Sequence, residues 1–232
     1  ASRFIYSMPS SFGAAAIIHM TEANTTTADY LTALGQVQRF PRGEIELCMV
    51  KNFLNQSECE RLIASIDQKR RPSTIADPNG DDYFRTSETC DMDHSDPFVE
   101  EIDTKICNFS NIDRKFGEPL QGQRYAIGQE FKAHTDFFDP DGQDFAKFCS
   151  VSGQRTWTFM IYLNEPGSGG ATRFISFKKS IAPQTGTLLC WNNMNKDGSP
   201  NDWTLHHVMK VRSGTKYVIT KWYREKPWPW PT

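Results

Sequence analysis

The chain has 232 residues, a length that suits one domain with a real core. Hydrophobic residues make up 38% and charged residues 23%, the balance of a soluble globular protein. A formal net charge of −2 excludes a general pull toward nucleic acid or anionic membrane, and no apolar run approaches the ~20 residues that a membrane helix needs.

Residues 1–20 read as a leader or appended arm, separate from a domain spanning 21–232. A secretory leader needs a positive start and a longer apolar stretch than FGAAAIIHM, so a cytoplasmic setting is expected. An expression remnant would end at the His19–Met20 junction. From Thr27 to Val37 a short helix is expected, capped by Thr27, with Tyr30, Leu31, Leu34 and Val37 on one face. Glu44 to Phe53 reads as a strand. Asn55 then caps a helix, and Glu58 completes a capping-box pair. Cys59, Leu62, Ile63 and Ile66 form its apolar stripe, as core rather than as a site.

The stretch from Pro72 to Asp93 is loop-rich, and Asp77 to Asp82 reads as a mobile surface loop. Asp96-Pro97 opens a further helix that buries Val99, Ile102, Ile106 and Phe109. The pattern then changes to short strands at 122–128, 130–137, 156–163, 171–177, 186–191, 204–211 and 216–223. Gly- and Asn-rich turns separate them, which argues for a jelly roll. Residues Asp139 to Gly153 form a long polar connection suited to a lid, and the KPWPWPT tail should be extended. The six cysteines, at 48, 59, 90, 107, 149 and 190, form no CxxC pair and are expected to be reduced and buried.

Chemistry concentrates in RYAIGQEFKAHTDFF, where His134 and Asp136 stand two apart. In an extended strand such residues point to one face and can grip one ion together. An isolated HxD means little, but a second histidine follows at His206 or His207, and Lys216 lies further along. Two histidines and one carboxylate on one side of an iron form the facial triad of non-haem Fe(II) oxygenases. Neighbours on a strand face opposite ways, so only one of His206 and His207 can join. His19 and His94 lack any ligand pattern.

Seven segments carry a resemblance: FLNQSECERLI, RTSETC, GEPLQGQRYAIGQEFKAHTDFF, GQRTWTFMIYLNEPGSGGATRF, GTLLCWNN, DGSPNDWTLHHV and VRSGTKYVITKW. In this order and spacing, from about Glu44 to Trp222, the chain resembles the prolyl 4-hydroxylase group of Fe(II)/2-oxoglutarate-dependent dioxygenases. The resemblance implies a double-stranded β-helix (jelly-roll, cupin-like) core over about 116–225 with helical support from 24–115. It implies Fe(II), the cosubstrate 2-oxoglutarate and O2, with L-ascorbate as a reductant, and a proline-containing peptide or protein as substrate. The family's second histidine precedes a Val by five, a Gly by eight and a Lys by ten. That spacing selects His206, before Val211, Gly214 and Lys216.

By the same resemblance His134, Asp136 and His206 hold the metal, and Lys216 pairs with the far carboxylate of 2-oxoglutarate. Tyr125 and Thr172 line the cosubstrate pocket, while Arg155 and Trp222 help hold the peptide. Related halogenases lack the carboxylate, so Asp136 favours hydroxylation. Two positions depart from the family: Phe131 stands where Tyr is usual and Arg224 where His is usual. These departures bear on proline specificity, so a free amino acid or other small molecule is the alternative substrate. A metal-binding jelly roll without catalysis is the alternative of another class, and it has no need of a cosubstrate lysine.

Overall fold

The computed structural model describes residues 26–41, 43–73, 84–142 and 145–230. The 1–20 arm and the 77–82 loop lie outside the described residues. The helices are α1 (Thr27–Ala33), α2 (Gln56–Lys69), α3 (Pro97–Ser110) and α4 (Phe145–Cys149). The early strands are β1 (Gln38–Arg39), β2 (Leu47–Val50), β3 (Arg71–Pro72) and β4 (Glu88–Asp91). Then follow β5 (Gln121–Tyr125), β6 (Phe131–His134), β7 (Arg155–Tyr162), β8 (Ser168–Gly169) and β9 (Thr172–Phe174). The last are β10 (Lys179–Ile181), β11 (Leu188–Asn192), β12 (His206–Val208), β13 (Val211–Ser213) and β14 (Lys216–Arg224).

The helix starts follow local chemistry. Asn55 accepts from Glu58 N at 2.9 Å while the Glu58 carboxylate accepts from Asn55 N at 2.7 Å, a complete capping box. Asp96 caps α3 by accepting from Phe98 N, with Pro97 in the first turn. The first helix is capped by Thr26 rather than Thr27, because it is the Thr26 hydroxyl that reaches Asp29 N.

The strands form an eight-stranded sheet in the order β1-β2-β11-β7-β14-β5-β4-β3 and a four-stranded sheet in the order β10-β9-β12-β6. All their pairings are antiparallel. Residues of alternate parity on the central strands build two cores. Phe159, Ile161, Tyr217, Ile219 and Tyr223 pack with the helices, among them Leu62, Ile66, Ile102 and Ile106. Met160, Tyr162, Val218, Leu189 and Trp191 face Phe174, Ile181 and Val208 of the smaller sheet. This is a double-stranded β-helix with helices on its outer face.

Three expectations are corrected. The 204–211 strand is two strands, β12 and β13, with Met209 and Lys210 between them; Lys210 O accepts from Gly170 N at 3.2 Å. The 139–153 connection contains helix α4, whose Cys149 is buried, so part of it is docked rather than free. The Glu44–Phe53 strand shrinks to Leu47–Val50. All six cysteines are free and buried, as expected. No helix among the described residues is long and apolar enough to cross a membrane.

Candidate metal centre

His134 is the last residue of β6, and Asp136 lies beyond the strand end. Their common direction therefore does not come from strand alternation, as the two-residue spacing suggests. The turn after β6 is clamped by the residue that precedes β7: Gln154 accepts from Phe138 N at 2.8 Å and donates to Phe138 O at 2.7 Å. Thr158 of β7 donates to Asp136 Oδ2 at 2.7 Å. Asn193 in turn donates to the Thr158 hydroxyl at 2.9 Å. Asp136 Oδ1 is left 3.9 Å from His134 Nε2.

His206 opens β12, directly across from His134 in the register. One ligand atom each from His134, Asp136 and His206 lie within 4.8 Å of one another, close enough to share one ion. His134 Nδ1 is 2.7 Å from Lys132 O and His206 Nδ1 is 2.9 Å from Thr204 O. A carbonyl can only accept, so each Nδ1 carries the proton and each Nε2 offers a lone pair. Burial lowers both imidazoles below the usual histidine value, His134 strongly, with the charge of His206 adding to its shift. Burial would raise Asp136, but His206, His134, Arg155 and the Thr158 bond outweigh it and hold the carboxyl low. Two neutral imidazoles beside an ionised carboxylate are a donor set suited to Fe(II).

His207 points the other way and bonds Glu130 at 3.1 Å, which accounts for it as a satisfied outward histidine. Lys216 opens β14 with no exposed surface. Among the described residues its Nζ has no hydrogen-bond partner, and it sits 5.4 Å from the Tyr125 ring and 5.2 Å from the Tyr162 ring. Burial alone brings its pKa down to about 7. An ammonium held among aromatic rings without a counter-ion is a ready partner for an anion.

The remaining expected residues fall around these. Tyr125 is buried, with its hydroxyl on Ser87. Thr172 is buried and accepts from Tyr162 OH at 2.7 Å. Phe131 stacks on His134, ring centroids 3.5 Å apart, and the Arg85 guanidinium lies 4.8 Å from the Phe131 ring centroid. Trp222 lines the cavity beside the three ligands, which has a volume of about 40 Å³. Admitting an organic acid requires its walls to part. Arg155 lies 4.0 Å over the Trp222 ring and is held by Glu118 through two bonds of 2.7 and 2.9 Å. Arg224 reaches the same Glu118 at 3.2 Å.

Sequence reasoning missed Thr158, Tyr162, Gln154 and Glu118. For Thr158 and Tyr162 a signal existed, since they share parity with Met160 on β7 and so face between the sheets. For Gln154 and Glu118 none existed, because their partners come from remote segments.

Residues 120–224 match the model of the 2OG-Fe(II) oxygenase superfamily, whose name fits the chemistry of this donor set. Prolyl 4-hydroxylases are among the proteins this chain resembles. A putative prolyl 4-hydroxylase of Acanthamoeba polyphaga mimivirus is 29% identical over 182 residues, covering 77% of this chain and 74% of that protein. Prolyl 4-hydroxylase subunit alpha-2 of Caenorhabditis elegans is 27% identical over 192 residues, 77% of this chain and 34% of that subunit. This chain thus spans about a third of the length of such subunits. The viral collagen prolyl hydroxylase of Paramecium Bursaria Chlorella virus-1, solved with 2OG, superposes with a TM-score of 0.61 at 28% identity. That match covers 77% of this chain and 95% of the viral one.

Proposed function

We propose that this chain is an Fe(II)/2-oxoglutarate-dependent dioxygenase that hydroxylates prolyl residues of a peptide or protein. The observation that carries the reading is the joint presence, between the two sheets, of the His134–Asp136–His206 cluster and the unpaired, buried Lys216. A metal-binding module without catalysis has no use for such a lysine. We read 21–232 as one domain, with helical support followed by the jelly-roll core.

When bound, Fe(II) and 2-oxoglutarate supply the oxidising chemistry, in which O2 and the cosubstrate yield succinate, CO2 and a hydroxylated carbon. The chain's own residues prepare that chemistry. His134 and His206 would hold the metal through Nε2, each ring turned by its Nδ1–H bond to a carbonyl. Asp136 would complete the triad while Thr158 occupies its other oxygen. Three protein ligands leave positions for the cosubstrate and O2. Lys216 would hold the distant carboxylate of 2-oxoglutarate, with Tyr125 and Thr172 on the walls. Trp222, Arg155 and Phe131 would line the way to the peptide, which keeps water out of the centre.

The reading rests also on the likeness to prolyl 4-hydroxylases over three quarters of the chain. The test is a panel of proline-containing peptides incubated with Fe(II), 2-oxoglutarate and O2. A gain of one oxygen on proline, matched mole for mole by succinate, is the expected result. Oxygen on a free amino acid and on no peptide would move the substrate to a small molecule. Absence of succinate under all conditions would remove the enzyme reading.

A further inference from the structure

Arg155 separates two cavities. On one side its guanidinium covers Trp222, which lines the metal cavity. On the other, Arg155 lines a second cavity of about 420 Å³ with Glu118, Lys147, Phe148, Arg224 and Trp228. The charges there do not balance. Glu118 accepts both bonds of the Arg155 fork, at 2.7 and 2.9 Å, and still serves Arg224 at 3.2 Å. On the cavity wall itself one carboxylate thus stands against two guanidinium groups and Lys147, while Asp136 faces Arg155 from the metal side. Glu225, next along the chain, keeps its charge outside the cavity lining, where it accepts the Gln154 backbone N–H at 2.8 Å.

Arg224 is only 4% exposed, and its buried Nε has no hydrogen-bond partner among the described residues. Its other nitrogens reach Glu118 and the Phe148 carbonyl. A nearly buried cation with an unused donor is costly unless something anionic arrives. The rest of the cavity is a surface for a chain: Phe138 and Phe148 stack at 5.1 Å, and Arg224 lies 5.7 Å under Trp228. The tail that supplies Trp228 is fixed by Trp228 N donating to Lys115 O at 2.7 Å and by Ser152 donating to Pro227 O at 3.1 Å.

We propose that this second cavity is a specificity subsite for an acidic side chain, Asp or Glu, close to the target residue in the substrate peptide. The proposal rests on the peptide-hydroxylase reading above. The carboxylate meets the positive charge of the cavity wall and takes the unused Arg224 donor once the guanidinium turns toward it, and the adjoining peptide residues rest on Phe148 and Trp228. Charge-assisted bonds of this kind are strong, and Arg suits them because its donors lie in one plane.

The experiment uses the full chain with Fe(II), 2-oxoglutarate and amidated proline peptides. Asp or Glu is placed at each position within three residues of the proline and compared with Asn or Gln at the same place. At one position the acid should lower KM about ten-fold against its amide, with kcat nearly constant. The preference should fade in high salt and fall below about two-fold in Arg224→Gln. Equal KM for acid and amide at every position overturns the proposal, and that arm needs no variant. So does a preference that survives Arg224→Gln, or one shown only by a free C-terminal carboxylate. Calorimetric affinity for the same acid and amide pair, without cosubstrate, reads the subsite apart from turnover. If no peptide gains oxygen the hydroxylase reading falls, while a calorimetric preference for the acid still upholds the subsite and equal affinities overturn it.

Discussion

Strand β14 carries two lysines five residues apart, Lys216 and Lys221, and neither has any exposed surface. They differ in the face they occupy. Lys221 points to the helices, where its Nζ meets Asp103 of α3 at 2.6 Å, and Arg114 meets the same carboxylate at 2.9 Å. Gly117 makes room for it, because a Cβ there would lie 2.3 Å from Lys221 Cε. Lys216 points between the sheets, where its Nζ meets the Tyr125 and Tyr162 rings and, among the described residues, no carboxylate. The first is a structural cation supplied with its anion by the fold. The second is left for an anion that the fold does not contain. The adjacent histidines of β12 show the same division, His206 inward beside Asp136 and His207 outward on Glu130.

The division is tested most severely at β12. His206→Ala should abolish turnover and weaken metal binding by more than the roughly 10–100-fold typical of losing a supporting partner. His207→Ala should change metal affinity only a few-fold. Titration with Fe(II) under anaerobic conditions, followed by succinate assay, reads both. The reverse pattern would mean that the inward face has been misassigned.

At β14 the inward lysine comes next. Removing one member of a buried charge pair costs about 3–5 kcal/mol. For Lys216→Ala that corresponds to roughly two to three orders of magnitude in the 2-oxoglutarate concentration needed for succinate formation. Metal affinity should hardly change. An unaltered cosubstrate dependence would remove the functional half of the comparison.

The outward lysine should behave oppositely. Lys221→Ala leaves the buried Asp103 with Arg114 as its remaining partner, so folding stability should drop by about 1.5–3 kcal/mol in denaturant titration. The dependence of the folded fraction on 2-oxoglutarate should stay as in the unaltered chain. A loss under about 1 kcal/mol would show that Lys221 is no more tied to structure than an exposed ion pair.

The smallest effects sharpen the comparison further. Lys216→Met should raise stability by about 1–4 kcal/mol without cosubstrate, since an unpaired buried cation becomes an apolar chain. Saturating 2-oxoglutarate should cancel that advantage, adding to the unaltered protein about 2.7 kcal/mol at 100 times Kd. The pH dependence follows from the same group. Burial sets Lys216 near 7, against about 10.4 in an unfolded chain. Between these values the unfolded chain holds a proton that the folded chain has released, so stability rises with pH. The slope approaches ~1.4 kcal/mol per pH unit. Burial raises Cys59, Cys90 and Cys107, and these thiols oppose the rise once unfolded cysteines ionise, near pH 8.5. Thermal unfolding from pH 7 to 8.5 should therefore show a rise in the unaltered chain that is missing in Lys216→Met.

What the sequence determined by itself is what short range controls. Asn55 with Glu58 and Asp96 with Pro97 announce helix starts because a cap is satisfied within three residues. Alternation along β12 and β14 separates His206 from His207 and Lys216 from Lys221, because a strand's side chains reverse face at every step. The spacing of His134, Asp136, His206 and Lys216 named the chemistry through its resemblance to the prolyl 4-hydroxylase pattern. Tertiary structure alone decided the rest. Asp136 lies past the end of its strand and is aimed by Thr158 and by the Gln154 clamp, contacts that no periodicity encodes. Glu118 joins Arg155 and Arg224 across 37 and 106 residues of chain, so the surplus charge in the second cavity is invisible in composition. That Lys216 is unpaired while Lys221 is paired depends on which segments fold against each face. A buried charge is costly or stabilising according to the sum of its neighbours, and those neighbours are chosen by the whole fold.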